Sequence, residues 1–329
     1  MCPVSLDTTS SSALSKDDRS GIFATTIDSW SMLSVEDDMI RHRAVLGLFV
    51  IATLVGLLAK PAIGGATEEP SLGRIAALAH GAPMMTVAEG LFLMGTAKTT
   101  QTSFSLEFPY DDTEQPQRRV WLDRFDIDRD EVNLGEFLLW LQQQQRPTPE
   151  EIRKLIDHMT TVHAVSPATL TRWPALYVTW AEASDFCRAR GKRLPTEAEW
   201  EKAARGDQGN LFPWGQQPPA PGLAMFGQYH VHEIPIVAAV ESGEKGRSPY
   251  GLHHMAGNAA EWVEDWFGID YYATMPDRNP RGVGQGRYKV VRGGSWKSAA
   301  VLLRTATRSG AAPQQRASTI GFRCAGPAQ

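Results

Sequence analysis

The chain has 329 residues, with 33 Lys and Arg against 37 Asp and Glu, for a net charge of -4. With no excess of cations and no basic stripe to neutralise phosphates, nucleic acid is excluded as a partner. Ten Trp, 29 Gly and 21 Pro point to a loop-rich fold pinned by large aromatic residues, not to a bundle of long helices.

In chain order, residues 1–38 are rich in Ser, Thr and Asp and offer little to a core, so a disordered tail is expected over 1–43. Residues 44–59, AVLGLFVIATLVGLLA, carry no charge. As a helix they span about 24 Å, a little short of the ~30 Å hydrocarbon layer, and Met39 and Ile40 can lengthen them. Both faces are apolar, which argues for a transmembrane segment over a buried core helix. Arg41, His42 and Arg43 precede it, so the positive-inside rule puts the N-terminus in the cytoplasm. The main domain is then periplasmic or extracellular. A cleaved signal peptide is the alternative, but its charged leader would be far longer than usual; a start at Met39 would restore an ordinary one. A linker rich in Gly, Ala and Pro is expected over 60–82, and the large domain over 83–329.

Within that domain, Gly90–Gly95 reads as a short strand after a turn. Val120–Asp128 alternates apolar and polar residues and reads as one half-buried strand. A helix is expected over Glu131–Gln145 and a second over Trp180–Arg190, stopped by Gly191. A third is expected over Pro195–Arg205, with Thr196 and Glu199 at capping-box spacing. After residue 206 helical periodicity fades. The pattern is that of an α+β domain with little regular secondary structure. Cys187 and Cys324 lie in it, far apart. They are two free thiols in a cytosolic protein and a disulfide candidate outside it.

Four ordered segments carry a family resemblance: GLFLMGT at Gly90–Thr96, GKRLPTEAEWEKAARG at Gly191–Gly206, SPYGLHHMAGNAAEWVEDWF at Ser248–Phe267, and VVRGGSW at Val290–Trp296 followed by IGFRCA at Ile320–Ala325. FPWG at Phe212–Gly215 falls between them. The set resembles the sulfatase-modifying-factor family, whose best-known members are formylglycine-generating enzymes. The resemblance implies one α+β domain of the C-type-lectin-like kind. It also implies a disulfide between Cys187 and Cys324, in keeping with the external location.

The family's copper is held by two cysteines just after the GGS motif, because soft thiolates select Cu(I). Here the aligned residues are Ser298 and Leu303, so copper and copper-dependent formylglycine formation are not expected, and no catalytic residue is assigned. The resemblance places His254, Gly257, Ala259 and Glu261 at calcium-ligand positions. Calcium takes oxygen ligands, and His254 stands where the family has Asn or Asp, which makes the site degenerate. The alternative is that Asn258 and Glu261 hold the local turn through hydrogen bonds. Ala224 and Met225 stand in place of a second calcium site.

His230, His232, His253 and His254 offer imidazoles suited to iron, copper or zinc, or are ordinary loop histidines. Arg292, Ser295, Trp296, Arg304 and Arg308 are candidates for a substrate groove. Their guanidiniums, with Arg323, either grip a carboxylate or sulfate or pair with Glu261, Glu264 and Asp265. The expected function is oxidative maturation of a secreted protein or peptide by a copper-free route, as ascribed to pyoverdine-maturation relatives. The alternative is a non-catalytic, lectin-like binding or scaffold domain.

Overall fold

A computed structural model of the chain describes residues 81–97, 112–229 and 234–328. The 1–43 tail, the 44–59 segment and most of the linker lie outside them, as do His230 and His232. Among the described residues no helix is long and apolar enough to cross a membrane.

Among the described residues, short apolar runs between turns form nine strands. β1 (Met84–Val87), β4 (Phe125–Asp128) and β9 (Ala325–Pro327) make one sheet in the order β1-β4-β9. β2 (Gly90–Met94) and β3 (Arg118–Leu122) form an antiparallel pair. β5 (Ala260–Trp266), β6 (Lys289–Arg292), β7 (Arg308–Ala311) and β8 (Ile320–Phe322) make a sheet in the order β7-β6-β5-β8, with only β5 and β8 parallel.

The single strand expected over Val120–Asp128 is two strands in two sheets. Asp123 and Arg124 are exposed and break it, and Asp123 N donates to Asn279 Oδ1 at 2.9 Å. β4 is wholly buried, because it is a central strand. Its two carboxylates have partners: Thr86 Oγ1 donates to Asp126 at 2.7 Å and Lys192 Nζ to Asp128 at 2.6 Å.

The helix expected from Glu131 begins later, as α1 (Leu134–Gln143), capped by Asn133. Glu131 is drawn aside because its carboxylate accepts from Asn258 Nδ2 at 2.6 Å and Ala259 N at 2.9 Å. α2 (Glu150–Thr161) and α3 (Pro167–Leu170) follow, unforeseen in the sequence. α2 buries only Ile152 and Met159. α4 (Trp180–Ala189) and α5 (Glu197–Arg205) both open with complete capping boxes, Thr179 with Glu182 and Thr196 with Glu199. A last short helix, α6, covers Tyr271–Thr274.

Cys187 in α4 and Cys324 just before β9 form a disulfide, 137 residues apart in sequence. It lies in a core built on Phe137, Trp140, Phe186, Trp262 and Phe322. A second core gathers Val87, Phe125, Trp200, Tyr272 and Val290. β2 and its flanking residues meet α5. Lys202 Nζ donates to Ala88 O at 2.7 Å and Gly90 O at 3.2 Å, and Arg205 Nη1 donates to Leu93 O at 2.8 Å and Gly95 O at 2.9 Å.

Candidate functional site

The GGS motif sits at one end of the four-stranded sheet, where β6 ends and β5, β7 and β8 begin. A cavity of about 440 Å³ opens there, lined by Gly293, Gly294, Ser295, Ser298, Thr307, Arg308, Gln315 and Thr319 among others. Gly294 has φ +67°, and a β-carbon on it would stand 2.9 Å from Leu302 O and 2.9 Å from Leu303 Cδ2. Only glycine fits there without displacing the chain. The next turn closes on itself: Ser295 N donates to Ser298 Oγ and Ser298 N to Ser295 O, both at 2.9 Å. Trp296 is buried and pins the turn, with Nε1 donating to Ser318 O at 2.9 Å and N to Asn258 O at 2.8 Å.

Ser298 and Leu303, at the positions aligned with the copper cysteines, lie together around Gly294. One presents a hydroxyl and the other a fully buried aliphatic chain. Neither supplies sulfur, and both cysteines of the described domain are spent in the disulfide, so the donor set does not fit Cu(I). The cavity has one unsatisfied polar atom that a ligand could use. Thr307 Oγ1 is buried without a hydrogen-bond partner among the described residues.

The groove arginines are held from within. Arg308 forks onto Glu197 at 2.7 and 2.8 Å, and Arg304 onto Glu114 at 2.7 and 2.8 Å. Arg292 Nη2 donates to Glu201 at 2.5 Å, and Arg323 forks onto Glu261 at 2.7 and 2.8 Å. Glu264 and Asp265 are not their partners. Burial opposes the Arg308 charge, but Glu197, with Tyr272 and Glu201, more than offsets it and holds the guanidinium more basic than usual. Arg308 and Ser295 reach the cavity wall, whereas Arg292, Trp296 and Arg304 do not line it. Sequence reasoning missed Glu114, Glu197 and Glu201. No local spacing signals them, because Arg308 takes Glu197, Arg292 takes Glu201 and Arg304 takes Glu114 from distant segments.

The residues at the calcium positions do not fit that ion. Glu261 is fully buried, and besides Arg323 its carboxylate accepts from Trp200 Nε1 at 2.8 Å, so a guanidinium already supplies the positive charge. Asn258 donates to Glu131 and accepts from Ala238 N at 2.8 Å, which holds the turn. Burial, and then the neighbouring Glu261, push the Glu131 carboxyl well above the usual range. His254 has φ +53°, and its Nε2 lies 3.2 Å from Ala239 O and 3.3 Å from Ser242 Oγ. Burial lowers its pKa to about 4, so the ring is neutral. His253 Nδ1 stands 2.9 Å from Asp130. Neither histidine lines the cavity. Among the described residues no group of three or more His, Cys, Asp or Glu is arranged to hold a metal ion.

The glycine-built turn, the disulfide and the mixed sheets occur together in a stretch, residues 74–328, that matches the family described as the sulfatase-modifying factor enzyme 1-like domain, and the chain belongs to that family. Formylglycine-generating enzyme from Bos taurus is 31% identical over 290 residues, covering 74% of this chain and 74% of the relative. Inactive C-alpha-formylglycine-generating enzyme 2 from Mus musculus is 29% identical over 293 residues, covering 74% of this chain and 86% of the relative. Among solved structures, PvdO from Pseudomonas aeruginosa has a TM-score of 0.58 at 23% identity, covering 75% of this chain and 95% of that one, and shares the fold.

Proposed function

We propose that this chain is a membrane-anchored, sulfatase-modifying-factor-like protein that takes an extended stretch of a secreted protein or peptide into the Ser295/Ser298 cavity. In this reading residues 44–59 cross the membrane, and a C-type-lectin-like domain lies on its periplasmic or extracellular side. It does not perform copper-dependent formylglycine formation. The observation that carries the reading is that Ser298 and Leu303 stand at the positions of both copper thiols, beside an open cavity lined by Ser295 and Ser298. The relatives include an enzyme and a protein named inactive, so the shared frame does not by itself specify catalysis. Oxidative maturation with another metal is the second reading. The completeness of the motif frame favours it, and it would draw on His230, His232, His253 and His254.

The test is the metal content of the full chain, made in an oxidising compartment and purified without chelators or a histidine tag. The proposal expects neither copper nor iron near one equivalent in mass spectrometry. Near-stoichiometric iron would favour the oxidative reading, and near-stoichiometric copper would overturn the exclusion of formylglycine chemistry.

A further inference from the structure

A second hollow lies across the segment that walls the Ser295/Ser298 cavity. Gln315 and Thr319 line that cavity; between them, Ala317 O accepts from Tyr177 N at 3.0 Å. Tyr177 lines the second hollow, of about 560 Å³. Two residues of extended chain span at most ~7 Å, so the two spaces are neighbours. Leu155, Tyr177 and Ile234 form an apolar floor packed against the main core. Glu151, Lys154, Asp157 and His158 stand around it. The Lys154 ammonium is neutralised by Glu150 at 2.7 Å, and Arg316, which approaches Glu151 at 3.9 Å, is forked onto Glu182. The rim is therefore acidic on balance.

Tyr177 has φ +59°, a left-handed conformation that is costly for an aromatic residue and persists only when its surroundings enforce it. Here they do. Besides the bond to Ala317, Arg316 Nη1 donates to Tyr177 O at 2.8 Å, and Glu182, which holds Arg316, is fixed in the capping box of α4. A strained backbone thus keeps an aromatic ring in the wall of an open hollow, next to the candidate site.

We infer that this hollow receives a side chain of the same extended polypeptide, an aromatic or long aliphatic residue with a Lys or Arg beside it. The inference rests on the peptide-binding reading given above. An extended peptide places alternate side chains in separate pockets, a ring or alkyl chain packs on Tyr177, and the neighbouring cation meets Asp157 and Glu151.

The full chain in detergent is panned against random peptides displayed on phage. The best binder is then titrated by fluorescence anisotropy against the wild type and three variants. Tyr177→Gly removes the ring and suits the left-handed backbone, so it folds. Asp157→Lys reverses the rim charge at an exposed helical position. Ser309→Trp blocks the first cavity, which Ser309 also lines. The selected peptides are expected to pair a large apolar residue with a basic one. Tyr177→Gly is expected to weaken binding about tenfold or more, and Asp157→Lys to weaken binding of the selected basic peptide. Binding that is lost in Ser309→Trp but unchanged in the other two variants overturns the hollow and leaves the first cavity's role standing. Binding that is lost in Tyr177→Gly and untouched by Ser309→Trp overturns the continuity of the two spaces. Failure to select any peptide overturns both readings.

Discussion

Ser298 and Leu303 converge on one point: a β-carbon at Gly294 would lie 3.3 Å from Ser298 Oγ and 2.9 Å from Leu303 Cδ2. Two thiols at these positions would be neighbours. The double variant Ser298→Cys/Leu303→Cys is therefore expected to acquire Cu(I), at about one ion per pair of thiolates. Competition with a colorimetric Cu(I) chelator measures this. A variant that retains no more copper than the wild type would show that the surrounding turn, and not only the two side chains, has diverged.

Arg323 and Glu261 form a fully buried pair. Replacing Arg323 by Leu leaves the carboxylate unpaired and should cost about 3–5 kcal/mol in urea unfolding. Since Arg323 and Trp200 occupy the Glu261 oxygens, millimolar calcium should leave the wild-type Tm unchanged. A calcium-dependent rise in Tm would show that these residues do hold the ion.

The Cys187–Cys324 bond closes a loop across most of the domain. Removing it, as Cys187→Ala/Cys324→Ala, should lower stability by about 2–5 kcal/mol. The check is the midpoint of denaturant unfolding with and without reductant. The wild type should fall toward the double variant under reducing conditions, while the variant itself should not respond.

His254 links stability to pH. Its pKa falls from 6.5 to about 4 on folding, chiefly because burial disfavours the charged ring. The folded state therefore binds fewer protons than the unfolded state between those values. Its contribution is complete above about pH 6.5 and is lost as pH falls through about 4, to a total of about 3 kcal/mol. His254→Asn suits the positive φ and should flatten this part of the stability profile. An unchanged profile in the variant would assign the acid loss to other groups.

Local signals were read well from the sequence where a single turn or helix contains them. The capping box at Thr196 and the stop at Gly191 need only neighbours in the chain. The long-range partners were not legible. Arg304 finds Glu114 across 190 residues and Arg308 finds Glu197 across 111. Nothing in composition distinguishes these glutamates from Glu264, which was named instead. The misreading of Val120–Asp128 has a similar origin. Alternation marks a half-buried strand, but β4 is covered on both faces, and its polar residues are satisfied by Thr86 and Lys192 from distant segments. α2 escaped notice because it buries so little.

Lys202 and Arg205 bear on how this chain stays unaggregated while it folds. Between them the two cations cap four carbonyls along the hairpin, those of Ala88, Gly90, Leu93 and Gly95, of which Gly90 and Leu93 lie in β2. Until α5 has formed and docked, these acceptors are uncovered, and those on the unpaired edge of β2 can take a strand from another chain. Replacing both cations by Met would leave the finished domain an adhesive border and a newly made one a longer period of risk. α5 is thus the seal on this hairpin, and the order in which hairpin and helix come together governs how much protein reaches the native state.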